Sequence, residues 1–163
     1  MNFKEVIKPG AFKTALKDEN LDCRALINHN PDRVLARKKA GRKNNTLELK
    51  EDKRGLKFKI NPLPDTQEAK DLIENINLGN VDQCSFGFVV DREGESWEET
   101  ADGVNLRKIE NIKSLLDISI VTYPAYSGTN VEVSQRALNK IKSKTNINIK
   151  QKELEIIKLR KVL

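Results

Sequence analysis

The chain has 163 residues, enough for one domain of about 100 to 200 residues with a tail. Its 37% hydrophobic and 33% charged content supports a core and excludes a collagen, a disulfide scaffold and outright disorder. The net charge of +6, from 30 Lys and Arg against 24 Asp and Glu, raises nucleic acid as a partner until its location is known.

That location decides the matter. From Asn139 onward lie eight of the basic residues and two of the acidic ones, which leaves 22 of each before it. The predicted organisation is a neutral body, residues 1–138, and a basic helical tail, residues 139–163. No run approaches the roughly 20 apolar residues of a membrane span, and the start MNFKEVIKPG lacks a signal peptide's apolar core. A cytoplasmic protein without membrane contact is expected. Cys23 and Cys84 fit no metal spacing and read as isolated thiols. His29 is the only histidine, which excludes a His-rich metal site and routes any imidazole chemistry through that residue. No cofactor is expected.

Along the chain, Lys8-Pro9-Gly10 reads as a turn before a short helix over Ala11 to Lys17. Leu21 to Asn28 reads as a strand that opens into a turn at Asn30-Pro31, with a further strand over Val34 to Arg37. The basic stretch Lys38 to Asn45 reads as a solvated, mobile connection. Leu47 and Leu49, then Leu56, Phe58 and Ile60, alternate with charged residues around Glu51 to Gly55, which predicts an antiparallel hairpin with one wet face. Asp65 or Thr66 caps a helix carrying Ala69, Leu72, Ile73 and Ile76, and Gly79 ends it. Strands are predicted over Val81 to Val90, Glu95 to Thr100, Val104 to Ile109 and Leu115 to Thr122. In the last of these, Leu116, Ile118 and Ile120 share one face, and Asp117, Ser119 and Val121 the other. Helical patterns follow from Val131 and from Gln151 to Leu163. Six or seven strands with two or three helices make an α+β fold, a mostly antiparallel β-barrel or sheet flanked by helices.

Three residues are candidates for chemistry. His29 sits where a strand opens into a loop, either as a surface or capping residue or as a functional one held by a rigid sheet. In Cys84 to Phe88, Ser85 and Gly87 share the face opposite Phe86 and Phe88. Ser85 is then either a nucleophile beside a clearing or a serine on a wet face with Gly87 at a bulge. Asp117 interrupts an apolar run and needs a partner if buried: an imidazole N–H, a Lys or Arg, or simple exposure. Together they could form an acyl-transfer set, with Ser85 as nucleophile, His29 as base then acid, and Asp117 holding the imidazole tautomer. Ser119 is the runner-up nucleophile. Cys84 points away from Ser85, and Phe86, Phe88 and Trp97 read as core or barrel-rim packing.

Five stretches in order resemble the tailed-bacteriophage prohead proteases. They are Phe3-Lys4-Glu5-Val6-Ile7-Lys8-Pro9-Gly10-Ala11-Phe12, Asn28-His29-Asn30-Pro31, Gly55-Leu56, Ser85-Phe86-Gly87-Phe88 and Leu116-Asp117-Ile118-Ser119-Ile120-Val121-Thr122-Tyr123-Pro124-Ala125. The resemblance implies a barrel similar to herpesvirus assemblin and a serine endopeptidase. It would act inside the immature head in the host cytoplasm, cutting the major capsid protein, the scaffold and itself, with His29 and Ser85 carried over as base and nucleophile. A homo-oligomer, possibly a dimer, is part of the same expectation. The family often has Glu where this chain has Asp117. Members usually begin with a strand pair ahead of the Phe3 stretch, so a barrel lacking it is expected to have an open edge that another molecule fills. The tail reads as a targeting segment for an acidic scaffold or one trimmed by self-cleavage. The alternative class, a non-catalytic scaffold or nucleic-acid-binding head protein, is disfavoured by the neutral body.

Overall fold

Alternation and capping place the local elements where the residues predict them. The computed structural model describes residues 3–126 and 131. Among these, nine strands and two α-helices run in the order β1 (Phe3–Ile7), α1 (Lys13–Lys17), β2 (Asp22–Ile27), β3 (Asn30–Lys39), β4 (Leu47–Asp52), β5 (Gly55–Ile60), α2 (Gln67–Asn77), β6 (Gln83–Val89), β7 (Glu95–Glu99), β8 (Asn105–Ile109) and β9 (Ser114–Val121). The hairpin β4–β5 pairs Leu49 with Phe58 and Leu47 with Ile60. Thr66 caps α2, its Oγ1 accepting from the Ala69 N–H at 3.3 Å. Gly79, at φ 74°, lies just beyond the end of that helix. The tail and the helical patterns after Val131 lie outside the described residues.

The strands form three sheets rather than one closed barrel: β1-β8-β7, β3-β2-β9-β6, and the hairpin β4-β5. Beyond Arg37, β3 makes no ladder with β4, and the side chain of Asn45 takes the main-chain groups of Lys39 instead. Its Oδ1 accepts from the Lys39 N–H at 2.8 Å and its Nδ2 donates to the Lys39 carbonyl at 3.1 Å, taking the bonds a neighbouring strand would make. Between β3 and β4 only Arg37 and Thr46 are linked, through the Thr46 N–H to the Arg37 carbonyl and the Arg37 N–H to Thr46 Oγ1. The stretch predicted as a mobile basic connection is therefore partly strand, through Lys38 and Lys39, and partly a loop pinned by Asn45.

Four of the six pairings among the described residues are antiparallel, as the sequence pattern suggests, and two, β1 with β8 and β2 with β9, are parallel. The core lies between the sheets and helices and includes Ala15, Cys23, Ala25, Ile27, Leu47, Ala69, Ile109, Ile112, Leu115, Ile118 and Ile120. Phe86 packs on it, stacked on Tyr126 with ring centroids 5.6 Å apart and edge-on to Phe12 at 5.3 Å. Glu51 ties the hairpin to the start of α1, its Oε1 accepting from the Gly10 N–H at 2.7 Å. Trp97 is not core: it lies 53% exposed on the edge strand β7, against Phe3.

Candidate active site

The central sheet sets the site through register. Antiparallel pairing of β6 with β9 puts Ser85 opposite Ser119 and Gly87 opposite Asp117. Paired residues share a face, so all four stand on the side of the sheet away from Phe86. Just beyond, the register shifts and Phe88 pairs with Leu115, which leaves Leu116 as the extra residue of a β-bulge. Leu116 is therefore 52% exposed while Leu115 is buried, and the predicted Leu116, Ile118, Ile120 face loses its first member to Leu115. The Ser85 face is not wet either. Ser85 is 3% exposed and Ser119 fully buried, and Leu26 and Val121 on the same face are buried as well.

Parallel pairing of β2 with β9 brings both strands to the same end of the sheet, so the chain leaving β2 turns directly over the end of β9. The turn is Asn28-His29, not the Asn30-Pro31 pair that the sequence pattern suggests, because Ile27 already pairs with Asn30. Asn28 has φ 51° and His29 φ 55°, the two positive values of a tight type I′ hairpin. Asn and His are both over-represented in that region, which still costs a non-glycine residue on the order of 1 kcal/mol and so requires support from its surroundings. The Asn28 N–H donates to the Ile120 carbonyl at 2.9 Å, and Asn28 Oδ1 accepts from the Thr122 N–H at 3.1 Å. Pro31 is accommodated because β3 is an edge strand with an irregular register there. Arg33 within that irregular stretch forms an ion pair with Glu68 of α2.

Two of the three candidates meet, and Ser85 stands on the same sheet face. His29 Nδ1 lies 2.7 Å from Asp117 Oδ1. An ionised carboxylate only accepts hydrogen bonds, so the neutral tautomer that fits this contact carries its proton on Nδ1 and its lone pair on Nε2. The His29 N–H donates to Ser119 Oγ at 3.1 Å, and the Ser119 hydroxyl donates to Asp117 Oδ1 at 2.6 Å. The clearing at Gly87 proves to be occupied space: a Cβ there would fall well inside contact distance of Asp117 Oδ2. Glycine at 87 is what lets the carboxylate stand upright between the strands. Ser85 and His29 are not hydrogen-bonded to each other among the described residues. In sites without substrate this contact is often long and closes on binding.

The sequence reading assigned Asp117 its imidazole as one of three open partners, and the geometry selects it. It did not foresee that Ser119 touches both members of the pair, although the two-residue spacing from Asp117 placed it on the right face. Cys23, on the opposite face of β2, is buried and its thiol is pushed up to about 12, chiefly by loss of solvent, which leaves it inert. Among the described residues no group of His, Cys, Asp and Glu side chains could hold a metal ion, and no helix is long and apolar enough to cross a membrane.

The profile of the caudovirus prohead serine proteases matches residues 1–144. The prohead protease of Enterobacteria phage HK97 is 30% identical over 121 residues, which are 74% of this chain and 48% of that protein. The chain thus spans about half the length of the curated relative it matches. No solved structure matches it. With the profile covering most of the chain, including every residue of the His29, Ser85 and Asp117 set, this protein belongs to the caudovirus prohead serine protease family.

Proposed function

We propose that the chain is a serine endopeptidase of head maturation, with Ser85 as nucleophile, His29 as general base and acid, and Asp117 as the group that orients the imidazole. The observation that carries this reading is the 2.7 Å bond between His29 Nδ1 and Asp117 Oδ1, formed on the same sheet face as Ser85. Serine is a weak nucleophile near neutral pH and must lose its proton as it attacks. His29 Nε2 takes the Ser85 Oγ proton while Oγ bonds to the scissile carbonyl carbon, giving a tetrahedral oxyanion. The imidazolium, stabilised by Asp117, then protonates the departing amine. An acyl-serine remains, and water activated by the same Nε2 releases it.

Family membership supports capsid and scaffold proteins of the immature head as substrates, reached in the host cytoplasm. A fold related to herpesvirus assemblin, self-cleavage and targeting by residues 139–163 belong to the same proposal; the first rests on motif order and the last on the eight basic residues there. Co-expression with the phage's own capsid protein tests the assignment. The unaltered chain is expected to yield a processed capsid fragment, and Ser85→Ala none, a loss of at least about a thousandfold. The same fragment from both, or from neither, would sink it.

A further inference from the structure

We infer that Ser119 is a positioning residue that fixes both ends of the His29–Asp117 pair, an inference that rests on His29 acting as the base. Its hydroxyl has two engagements. The proton goes to Asp117 Oδ1 at 2.6 Å, and a lone pair accepts the His29 backbone N–H at 3.1 Å. One atom thereby sets the rotation of the carboxylate and also anchors the backbone that carries the imidazole. With Oδ1 tethered, Oδ2 is directed over Gly87, where no side chain competes for its space. His29 at φ 55° is the kind of residue that stays in place only when several contacts determine it, and Ser119 supplies one from the strand that bears Asp117.

These engagements also remove Ser119 as runner-up nucleophile. Its proton is committed to a carboxylate. Ser85, directly opposite in register, has no such commitment among the described residues.

His29 is the only histidine, so its ring nitrogens give one unambiguous pair of ¹⁵N signals in the full chain, and these report the tautomer without any assay of activity. In the unaltered protein the neutral ring is expected as the Nδ1–H form. Ser119→Ala should shift it to a mixture in which Nε2–H is prominent, and Ser119→Thr, which keeps the hydroxyl, should restore Nδ1–H. If Ser119→Ala does not fold, Ser119→Cys, a near-isostere with a weak donor, is read in its place. Against the capsid protein, Ser119→Ala should lower kcat about 10- to 100-fold with KM little changed, the usual scale for a group acting through a neighbour, and Ser119→Thr should recover most of it. An Nδ1–H signal unchanged in Ser119→Ala, or a fluorophosphonate label found on Ser119 instead of Ser85, overturns the inference while leaving the protease reading standing. A tautomer that depends on Ser119 in a chain that cuts nothing supports the positioning role and defeats the protease reading instead.

Discussion

Two sheets of this molecule each hold half-buried carboxylates, and they treat them in opposite ways. In the β1-β8-β7 sheet, Arg107 bridges Glu5, 2.6 Å from its Nη1, and Glu95, which its Nε meets at 2.7 Å, while the Tyr126 hydroxyl also donates to Glu5. A permanent cation saturates both acids. In the β3-β2-β9-β6 sheet, Arg24 is the register partner of Asp117, yet it turns to Asp22, with Nη1 3.5 Å from Oδ1. Asp22 takes Arg37 as well, at 2.7 and 2.5 Å. Among the described residues no Lys or Arg pairs with Asp117, whose donors are a hydroxyl and an imidazole. An acid matched to a fixed charge joins elements together; an acid left to donors that can move a proton is available for chemistry.

The largest effect expected from this contrast separates two glycines. Gly87→Ala drives its Cβ into the end of the Asp117 side chain, which can swing aside, so the fold survives while the imidazole loses its acceptor. Cleavage should fall about a hundredfold, the scale of a displacement near 1 Å, at nearly unchanged melting temperature. Gly94→Ala, in the turn just before β7, meets the Asn111 backbone carbonyl and has Val90 Cγ1 at 3.0 Å. Backbone cannot swing aside, and this variant should lose about 1 to 3 kcal/mol of stability with activity per folded molecule retained. Kinetics beside urea denaturation would show it, and equal effects on both properties in both variants would erase the distinction between the sheets.

Next comes Arg107→Met. It strands Glu5 and Glu95 without their cation and should cost about 2 kcal/mol in urea unfolding, below the 3 to 5 of a fully buried pair because Arg107 retains 26% exposure. Turnover should be untouched. A loss of activity larger than the loss of folded protein would mean that the two sheets are coupled.

The smallest effect concerns Asp22, whose carboxyl the Arg37 hydrogen bond holds below its ordinary value, as Arg107 does for Glu95. Both are lowered in the folded state, so the stability they add is present above their unfolded values near 4 and is lost as the pH falls through the lowered ones. Urea midpoints should therefore drop on acidification below about pH 4.5, and Asp22→Asn should flatten part of that slope. At neutral pH the same variant releases Arg24 toward Asp117. A fivefold fall in kcat is expected, equivalent to about 1 kcal/mol of charge interaction screened at the level of water. No change would show that Asp22 does not shield the site.

Local pattern carried much of this fold. The β4–β5 hairpin and α2 lie where alternation and helical spacing put them, because hairpin and helix contacts are short in sequence. The opposition of Ser85 to Phe86 followed from strand geometry alone. What could not be read was long-range pairing. β1 went unrecognised as a strand because its partner β8 lies about a hundred residues on, and the barrel expectation failed because alternation does not say which strand edges meet. The site shows the same division: His29, Ser85 and Asp117 were legible as residue types in ordered motifs, but the contact joining His29 to Asp117 spans 88 residues and depends on the parallel β2–β9 ladder. Ser119 was placed on the right face without its partners, since period two gives direction and not the group a hydroxyl will find.

The turn that carries His29 is the shortest connection two antiparallel strands can make, and this has a consequence for motion. A residue on a long loop can be delivered to its substrate by the loop's own excursions over nanoseconds to microseconds. His29 has no slack on either side: Ile27 and Asn30 are already paired. The quick freedom left to the imidazole is rotation about its own side-chain torsions, and any larger travel must carry the end of the central sheet with it. The protein therefore holds its one histidine the way a machine tool holds a cutter, in a rigid mount with one adjustable axis.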